Sequence, residues 1–331
     1  MQQAAPSDLV MQLCCGFWAS RCLHVAAELG LADHIDDVPI EVTELATRTG
    51  SDPDALARTL RLLAMHGIFA ANGAGYEHTD ASRLLRSNHP RSMRPYVRMI
   101  GADFGWSAFG SLDYAVRTGT PAMNKVFSGG LFAYLGAHPE VGRVFNDAMR
   151  AKSHADIAAI IPSYDFSNFG VVADIGGGRG HLLKAVIDAN PATRGILFDL
   201  PLVVADAAPI ASERLSLQGG DFFKDALPRA DAYLLSTVIH DWADTEAGLV
   251  LSAIRRVIPS TGKLLLFEYV MPEGPGFHRA KALDINMLVL TGGRERTENE
   301  YARLLASAGF RLTRTIQTSG PISIVEAEPI P

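Results

Sequence analysis

The sequence predicts an α/β protein, a doubly wound parallel sheet closed by an antiparallel hairpin and preceded by a helical module with a two-strand wing. Three observations carry this. From residue 171 onward short apolar runs alternate with helical patterns, as in a parallel sheet covered on both faces. The first run, Val171 to Ile175, delivers Asp174 and then Gly176-Gly177-Gly178-Arg179-Gly180 before a helix begins. The last two runs, Phe310 to Thr315 and Ile322 to Ala327, are joined only by Ile316 to Pro321, too short a link for a helical crossover, so they must pair antiparallel.

At 331 residues, with 48% hydrophobic and 20% charged residues, the chain has room for two domains and a sizeable core. The expected division is 1–98 and 99–331. In 1–98, Leu9, Leu13 and Phe17, then Leu23, Ala27 and Leu31, recur at helical spacing. Thr43 to Ala46 and Asp52 to Leu63 read as two capped helices, and Ile68 to Ala70 with Tyr76 to Thr79 as a hairpin across Asn72-Gly73-Ala74-Gly75. A winged-helix-like shape raises the possibility of a DNA-binding regulator. Charge argues against it: residues 1–100 hold nine arginines and no lysine against eleven acids, and the whole chain carries a formal −6. No nucleic-acid partner is expected.

The segment 99–165 reads as helical and as the substrate-binding part of the second domain. Trp106, Phe109, Leu112 and Val116 form one helical repeat; Val141, Phe145, Ala148 and Met149 form another. Trp106, Phe145, Asn146 and Met149 are candidates to line an aromatic pocket, and Ser153 and His154 are polar interruptions beside them. The strands beyond are expected at Val171–Ile175, Ile196–Phe198, Ser216–Gln218, Ala232–Thr237 and Lys263–Tyr269, with helices at Thr245–Val257 and Glu298–Ala308, the latter capped by Thr297. The cysteines, Cys14, Cys15 and Cys22, form neither a disulfide framework nor a metal site, so the cytoplasm is the expected compartment. No uninterrupted apolar run is long enough to span a bilayer, and no membrane partner is expected.

A glycine-rich strand-to-helix turn suits a nucleotide-like ligand, because the backbone must take positive φ and approach it closely. Asp199 ends the second strand 25 positions after Asp174, where an acid can accept both ribose hydroxyls. Asp221 follows the third, ahead of Phe222 and Phe223, which suits an adenine amino group and a stacked ring. A nicotinamide enzyme has no particular need of that third element, so S-adenosylmethionine is favoured over NAD. After the fourth strand stands His240-Asp241-Trp242. Methylation of a hydroxyl requires an in-line approach and removal of one proton, a task for a neutral imidazole. Glu268, ending the fifth strand, and Glu295 are the acids placed to orient that ring and stabilise its cation. Asp284 and Met287, one helical turn apart, are further pocket candidates with Asp241.

These residues give the chain its resemblance to the S-adenosylmethionine-dependent small-molecule O-methyltransferases, of the plant caffeate type and from bacterial antibiotic and pigment biosynthesis. The matching segments are Asp174 to Gly180, Phe198-Asp199-Leu200-Pro201, Gly220 to Phe223, Ile239 to Trp242 and Gly292 to Thr297. The resemblance implies a Rossmann-like sheet with a terminal antiparallel hairpin and an N-terminal dimerisation domain whose helices contribute to the partner's pocket. It implies His240 as general base flanked by Glu268 and Glu295, and Asp199 as ribose ligand beside Leu200. Asp221 and Phe222 would hold adenine, the turn from Gly176 through Gly178 to Gly180 would carry the methionyl part, and Asp174, Ser153 and Ser236 are further cofactor-binding candidates. Ser236 stands where many members have a lysine. No metal is used in this type, and S-adenosylhomocysteine is the other product. Some relatives act instead as hydroxylases or decarboxylases, but both glutamates and His240 are present here.

Overall fold

Helix formation starts at Pro6, whose fixed φ suits a first helical position, and the structure, a computed structural model, describes residues 5–73 and 75–331. Helix α1 (Pro6–Glu28) is followed by α2 (Val42–Thr49) and α3 (Pro53–Met65), where Asp52 caps α3 by accepting from the Ala55 N–H at 2.8 Å. Strands β1 (Phe69–Asn72) and β2 (Gly75–His78) pair antiparallel as the expected wing. Helices α4 (Asp80–Arg83) and α5 (Arg94–Ile100) complete the module, whose core gathers Leu31, Ile35, Leu45, Leu60 and Phe69. Five of its arginines pair with acids: Arg48 with Glu44 and Asp36, Arg58 with Asp54, Arg83 with Asp37, Arg94 with Asp33, Arg98 with Glu28.

Next come α6 (Asp103–Phe109), α7 (Leu112–Thr118), α8 (Ala122–Val126), α9 (Gly130–Ala137) and α10 (Pro139–Ile160). The Trp106-to-Val116 repeat is therefore not one helix. It breaks between Phe109 and Leu112, where Gly110, poor in a helix interior, is followed by Ser111 at the N-cap position of α7. The chain forms two compact units: one runs to Trp106 and takes in His138–Lys152, the other comprises Ser107–Ala137 and Ser153–Pro331. The helical segment 99–165 is thus shared between them.

The second unit is built on β3 (Val171–Ile175), α11 (His181–Ala189), β4 (Arg194–Asp199), α12 (Pro201–Asp206), β5 (Leu215–Gly219), β6 (Ala232–Ser236), α13 (Asp244–Arg255), β7 (Lys263–Glu268), α14 (Arg279–Leu290), α15 (Glu298–Ser307), β8 (Phe310–Gln317) and β9 (Ser323–Pro329). These strands form a seven-stranded sheet in the order β5-β4-β3-β6-β7-β9-β8, parallel through β7, with β9 antiparallel to both β7 and β8. Its central strands are buried on both sides, as a covered parallel sheet requires. One face packs Tyr233, Leu235, Leu251, Leu266 and Tyr301; the other packs Val172, Leu183, Leu234, Phe267 and Ile324. All seven strand positions and the closing hairpin agree with the sequence reading.

Helix α1 departs from it in one respect. Judged over a window rather than an uninterrupted run, α1 is long and apolar enough by length and composition to cross a membrane, and only 11% of that window is buried. Leu9, Leu13 and Phe17 lie exposed along it in i, i+4 steps, with Trp18 beside them. A contiguous apolar stripe of this kind marks an association surface, and a second copy of α1 would cover it. Replacing Leu13 and Phe17 together by Glu is expected to convert a dimer to monomers, read as a halved mass in light scattering after gel filtration.

Candidate active site

The glycine turn follows β3 and hands over to α11. Gly178 has φ +60, and nothing lies within 4 Å of where its Cβ would be, so its backbone is bare toward the strand-end crevice. Beside it Asp199, at the end of β4, accepts from the Gly178 N–H through Oδ2 and from the Leu200 N–H through Oδ1, both at 2.7 Å. Each oxygen keeps a second acceptor direction, so the carboxylate can still take a diol. Asp174 lies buried with neither carboxylate oxygen hydrogen-bonded, and burial, then the charge of Asp199, pushes its pKa up to about 7. Two burdened acids under a bare glycine turn fit a ligand that brings cationic groups and a ribose.

After β5, Asp221 accepts from the Phe223 N–H at 2.9 Å and from Lys224 Nζ at 2.7 Å, and the Lys224 bond holds its carboxyl below the ordinary range. Phe222 lies against Gly176, 3.6 Å from the Cβ position, and meets Trp242 edge-on at 6.0 Å. Trp242 also meets Phe223 at 4.7 Å, and Phe132 of α9 stacks on it at 5.8 Å. Ser236 ends β6 half-buried, and the next residue, Thr237, has φ +50, a strained position for a β-branched side chain. Leu200 is exposed, and Ser153 is half-buried on α10.

His240 sits in a short turn, Ile239–Asp241, just beyond β6, with its side chain buried. Its Nδ1–H donates to Glu295 Oε1 at 2.8 Å, and Glu268 Oε2 lies 3.9 Å from the same nitrogen. Glu268 Oε1 accepts from the Ile239 N–H at 3.0 Å, so the strand acid also holds the turn. The Nδ1 bond fixes the tautomer that leaves Nε2 as the lone-pair nitrogen, with Asp241 Oδ1 3.7 Å away. Burial would lower the pKa of His240, but Glu268, Asp241 and Glu295 outweigh it and raise it to about 9. Burial raises Glu268 to about 7 against the opposing pull of His240. The ligand atoms of His240, Glu268 and Glu295 lie within 4.8 Å of one another, a spacing a cation could also bridge.

Two devices press the Glu295 loop onto the His240 turn. Gly293 leaves no room for a side chain: a Cβ there would stand 2.0 Å from the His240 carbonyl oxygen and 2.6 Å from the Trp242 nitrogen. Arg294 N–H then donates to the His240 carbonyl at 2.9 Å. Asp284 Oδ1 accepts from the Glu295 N–H at 2.9 Å, so this expected substrate residue is engaged in holding the loop. Met287 is buried, and its carbonyl accepts from Gly292 N–H at the end of α14. Trp106 contacts Phe17 at 6.4 Å and carries the Arg21 guanidinium 5.3 Å over its ring; Phe145, Asn146 and Met149 are half-buried on α10. His154 is exposed, its ring edge-on to His181. Sequence reasoning missed the buried guanidinium of Arg296 and the Phe132 stack. Arg296 stood within a quoted motif; nothing in the sequence signalled Phe132.

The chain matches two family models, an O-methyltransferase domain over residues 109–311 and an O-methyltransferase dimerisation domain over residues 11–88. It is 41% identical to phenazine O-methyltransferase PhzM of Lysobacter antibioticus over 98% of this chain and 96% of that protein. It is 38% identical to 3-amino-4-hydroxybenzoate 4-O-methyltransferase of Streptomyces cremeus, covering 94% of this chain and 88% of that one. The crystal structure of LaPhzM superposes with a TM-score of 0.93 at 41% identity over 99% and 100% of the two chains. The neocarzinostatin-biosynthesis O-methyltransferase NcsB1, in complex with S-adenosylmethionine and 2-hydroxy-5-methyl naphthoic acid, superposes with a TM-score of 0.82 at 31% identity over 95% and 96%.

A methyl at position 293 must displace backbone. Gly293→Ala is expected to lower stability by about 1–3 kcal/mol, the usual cost of overpacking. Urea unfolding measures this, and the variant should also turn over poorly because the Glu295 loop lifts off His240.

Proposed function

We propose that this chain, which belongs to the S-adenosylmethionine-dependent O-methyltransferase family, methylates a hydroxyl of an aromatic small molecule of bacterial secondary metabolism with His240 as general base. It is a homodimer through its dimerisation domain. The observation that carries the mechanism is the buried Nδ1–Glu295 bond of 2.8 Å, which leaves the Nε2 lone pair free for an acceptor's proton. A soluble cytoplasmic enzyme is the setting this reading requires, and the relatives' aromatic substrates support the acceptor class.

Asp199 would hold the ribose through its remaining acceptor directions, and Asp174 with the bare backbone at Gly178 would face the cofactor's cationic end. Asp221, Phe222 and Trp242 would border the adenine. When bound, S-adenosylmethionine supplies the electrophilic methyl group and remains as S-adenosylhomocysteine. His240 Nε2 takes the hydroxyl proton as the acceptor oxygen becomes nucleophilic, contributing about 10²–10⁴-fold. Glu295 and Glu268 stabilise the resulting imidazolium, while the turn held by Glu268 keeps Nε2 aimed. No step requires a metal, so turnover should survive a chelator. Asp241, beside the base, would border the acceptor.

The reading is tested by calorimetric titration with S-adenosylhomocysteine, then a screen for its release with hydroxyphenazines, 3-amino-4-hydroxybenzoate and hydroxynaphthoic acids. Failure to bind S-adenosylhomocysteine would overturn it. Asp199→Ala removes an ionised acceptor worth about 1.5–3 kcal/mol, so S-adenosylhomocysteine affinity should fall roughly 10–100-fold in the same titration.

A base must be deprotonated to act. Because the pKa of His240 is raised to about 9, kcat/KM should climb as pH rises from 7 toward 9. His240→Gln should lower kcat at least about 100-fold and flatten that limb while leaving S-adenosylhomocysteine affinity within a few-fold. A retained limb in the variant would remove His240 from the mechanism.

A further inference from the structure

Arg296 is 1% exposed, which is rare for an arginine unless its donors are engaged. Here they are. Nη1 donates to the Ile239 carbonyl at 3.1 Å and to the Arg294 carbonyl at 3.4 Å; Nη2 donates to the Trp242 carbonyl at 2.9 Å. Nε and Nη2 both reach Asp244 Oδ1, at 3.0 and 2.8 Å. Ile239 and Trp242 bracket the turn that carries His240, and Arg294 precedes Glu295. One planar guanidinium therefore ties the backbone on both sides of the base to the backbone of the acid that orients it.

We propose that Arg296 is a positioning residue for methyl transfer, acting through the His240–Glu295 bond rather than on any ligand. Only a guanidinium supplies this geometry. Its five donors lie in a fixed plane, whereas a lysine at 296 would keep the charge but offer one point of attachment. Asp244 sits at the first position of α13 with its side chain 62% exposed, and fixes the plane from the solvent side. The consequence is specific. Losing the fork should free the Glu295 loop to drift from His240 without touching the glycine turn or Asp199, where the cofactor would be held. The proposal rests on His240 being the base, and the experiments below separate the two.

The test uses the full-length dimer saturated with S-adenosylhomocysteine and labelled with 15N in the imidazole rings. His240 signals are assigned by their loss in His240→Gln. In Arg296→Lys the titration midpoint of His240 is expected to fall by a unit or more toward that of an ordinary histidine, with S-adenosylhomocysteine affinity within threefold of wild type. An unchanged midpoint in a folded Arg296→Lys would overturn the proposal. Should that variant fail to fold, Asp244→Asn loosens the same fork from its exposed side and should shift the midpoint in the same direction; no shift there would equally overturn it.

With a turned-over phenol from the screen, Arg296→Lys should lower kcat 10–100-fold with KM little changed. It should cause no further loss when combined with His240→Gln, because a residue that acts through the base has nothing left to position. Independent, multiplicative losses would show a merely structural role and overturn the assignment. If His240→Gln alone keeps wild-type kcat, the base reading fails, while the imidazole titration still reports whether Arg296 holds the ring.

Discussion

Two buried ionisable side chains, His240 and Glu295, meet at 2.8 Å in the second unit, and several neighbouring groups make that contact tolerable. Burying ionisable groups away from water is expensive unless each finds partners. Around the imidazole lie two buried acids, Glu268 and Glu295, and one buried cation, Arg296. With His240 neutral the buried set carries an excess negative charge; with His240 protonated it balances. This imbalance raises the imidazole's pKa to about 9 against the effect of burial, and it means that the surroundings favour the protonated state of His240. Gly293, Arg296 and Asp284 then solve a mechanical problem, holding a loop from beyond α14 against a turn from beyond β6 closely enough for a 2.8 Å bond.

Sheet topology supplies the division of labour. Strand order runs outward from β3 through β4 to β5, then restarts on the other side of β3 with β6 and β7. The crevice beyond the strands' carboxyl ends therefore opens at that reversal, the usual ligand site of an open α/β sheet. On one side of it stand Asp174, Asp199 and Asp221; on the other stand Ser236, His240 and Glu268. Trp242 bridges the two sets, since its ring meets Phe222 and Phe223 from the β5 side although it belongs to the turn after β6. Strain at Thr237 lies at the same reversal, where β6 must release its chain into the tight turn that carries His240.

Most of this was legible because it is written in local rules. Glycines after a strand, acids at strand ends and a six-residue link between the last two runs each have one economical interpretation, and the strands and hairpin follow. What escaped depends on contacts between distant segments. The break at Gly110 and Ser111 was overridden by a continuous apolar period, although glycine gave a warning. Asp284 read as a pocket residue because helical spacing places it near Met287; spacing cannot say that its carboxylate accepts from the Glu295 backbone. Arg296 read as one letter of a motif, since burial of an arginine is decided by the carbonyls it finds. The apolar content of α1 was visible in the sequence, but a criterion of uninterrupted apolar runs passes over a helix broken by Gln12 and Arg21, and could not show that only 11% of its apolar window is buried.

The titrations of the two sides act in concert. Asp174, Asp199, Glu268 and His240 all have pKa values raised by the fold, Asp174 and Glu268 to about 7 and His240 to about 9. A group whose folded pKa lies above its unfolded one gives its full stabilisation below the unfolded value and loses it as pH climbs through the folded one. Asp174 and Glu268 give up theirs between about pH 4 and 7, His240 between about 6.5 and 9. The site is thus least stable with His240 neutral and Asp174 and Asp199 ionised, the protonation state the proposed mechanism requires. A cationic ligand against Asp174 and Asp199 would offset that cost on its own side of the crevice, and a substrate's proton on Nε2 would offset it on the other. Under the proposed mechanism, holding Asp174, Asp199 and His240 in this burdened state before either arrives is the preorganisation that proton transfer requires.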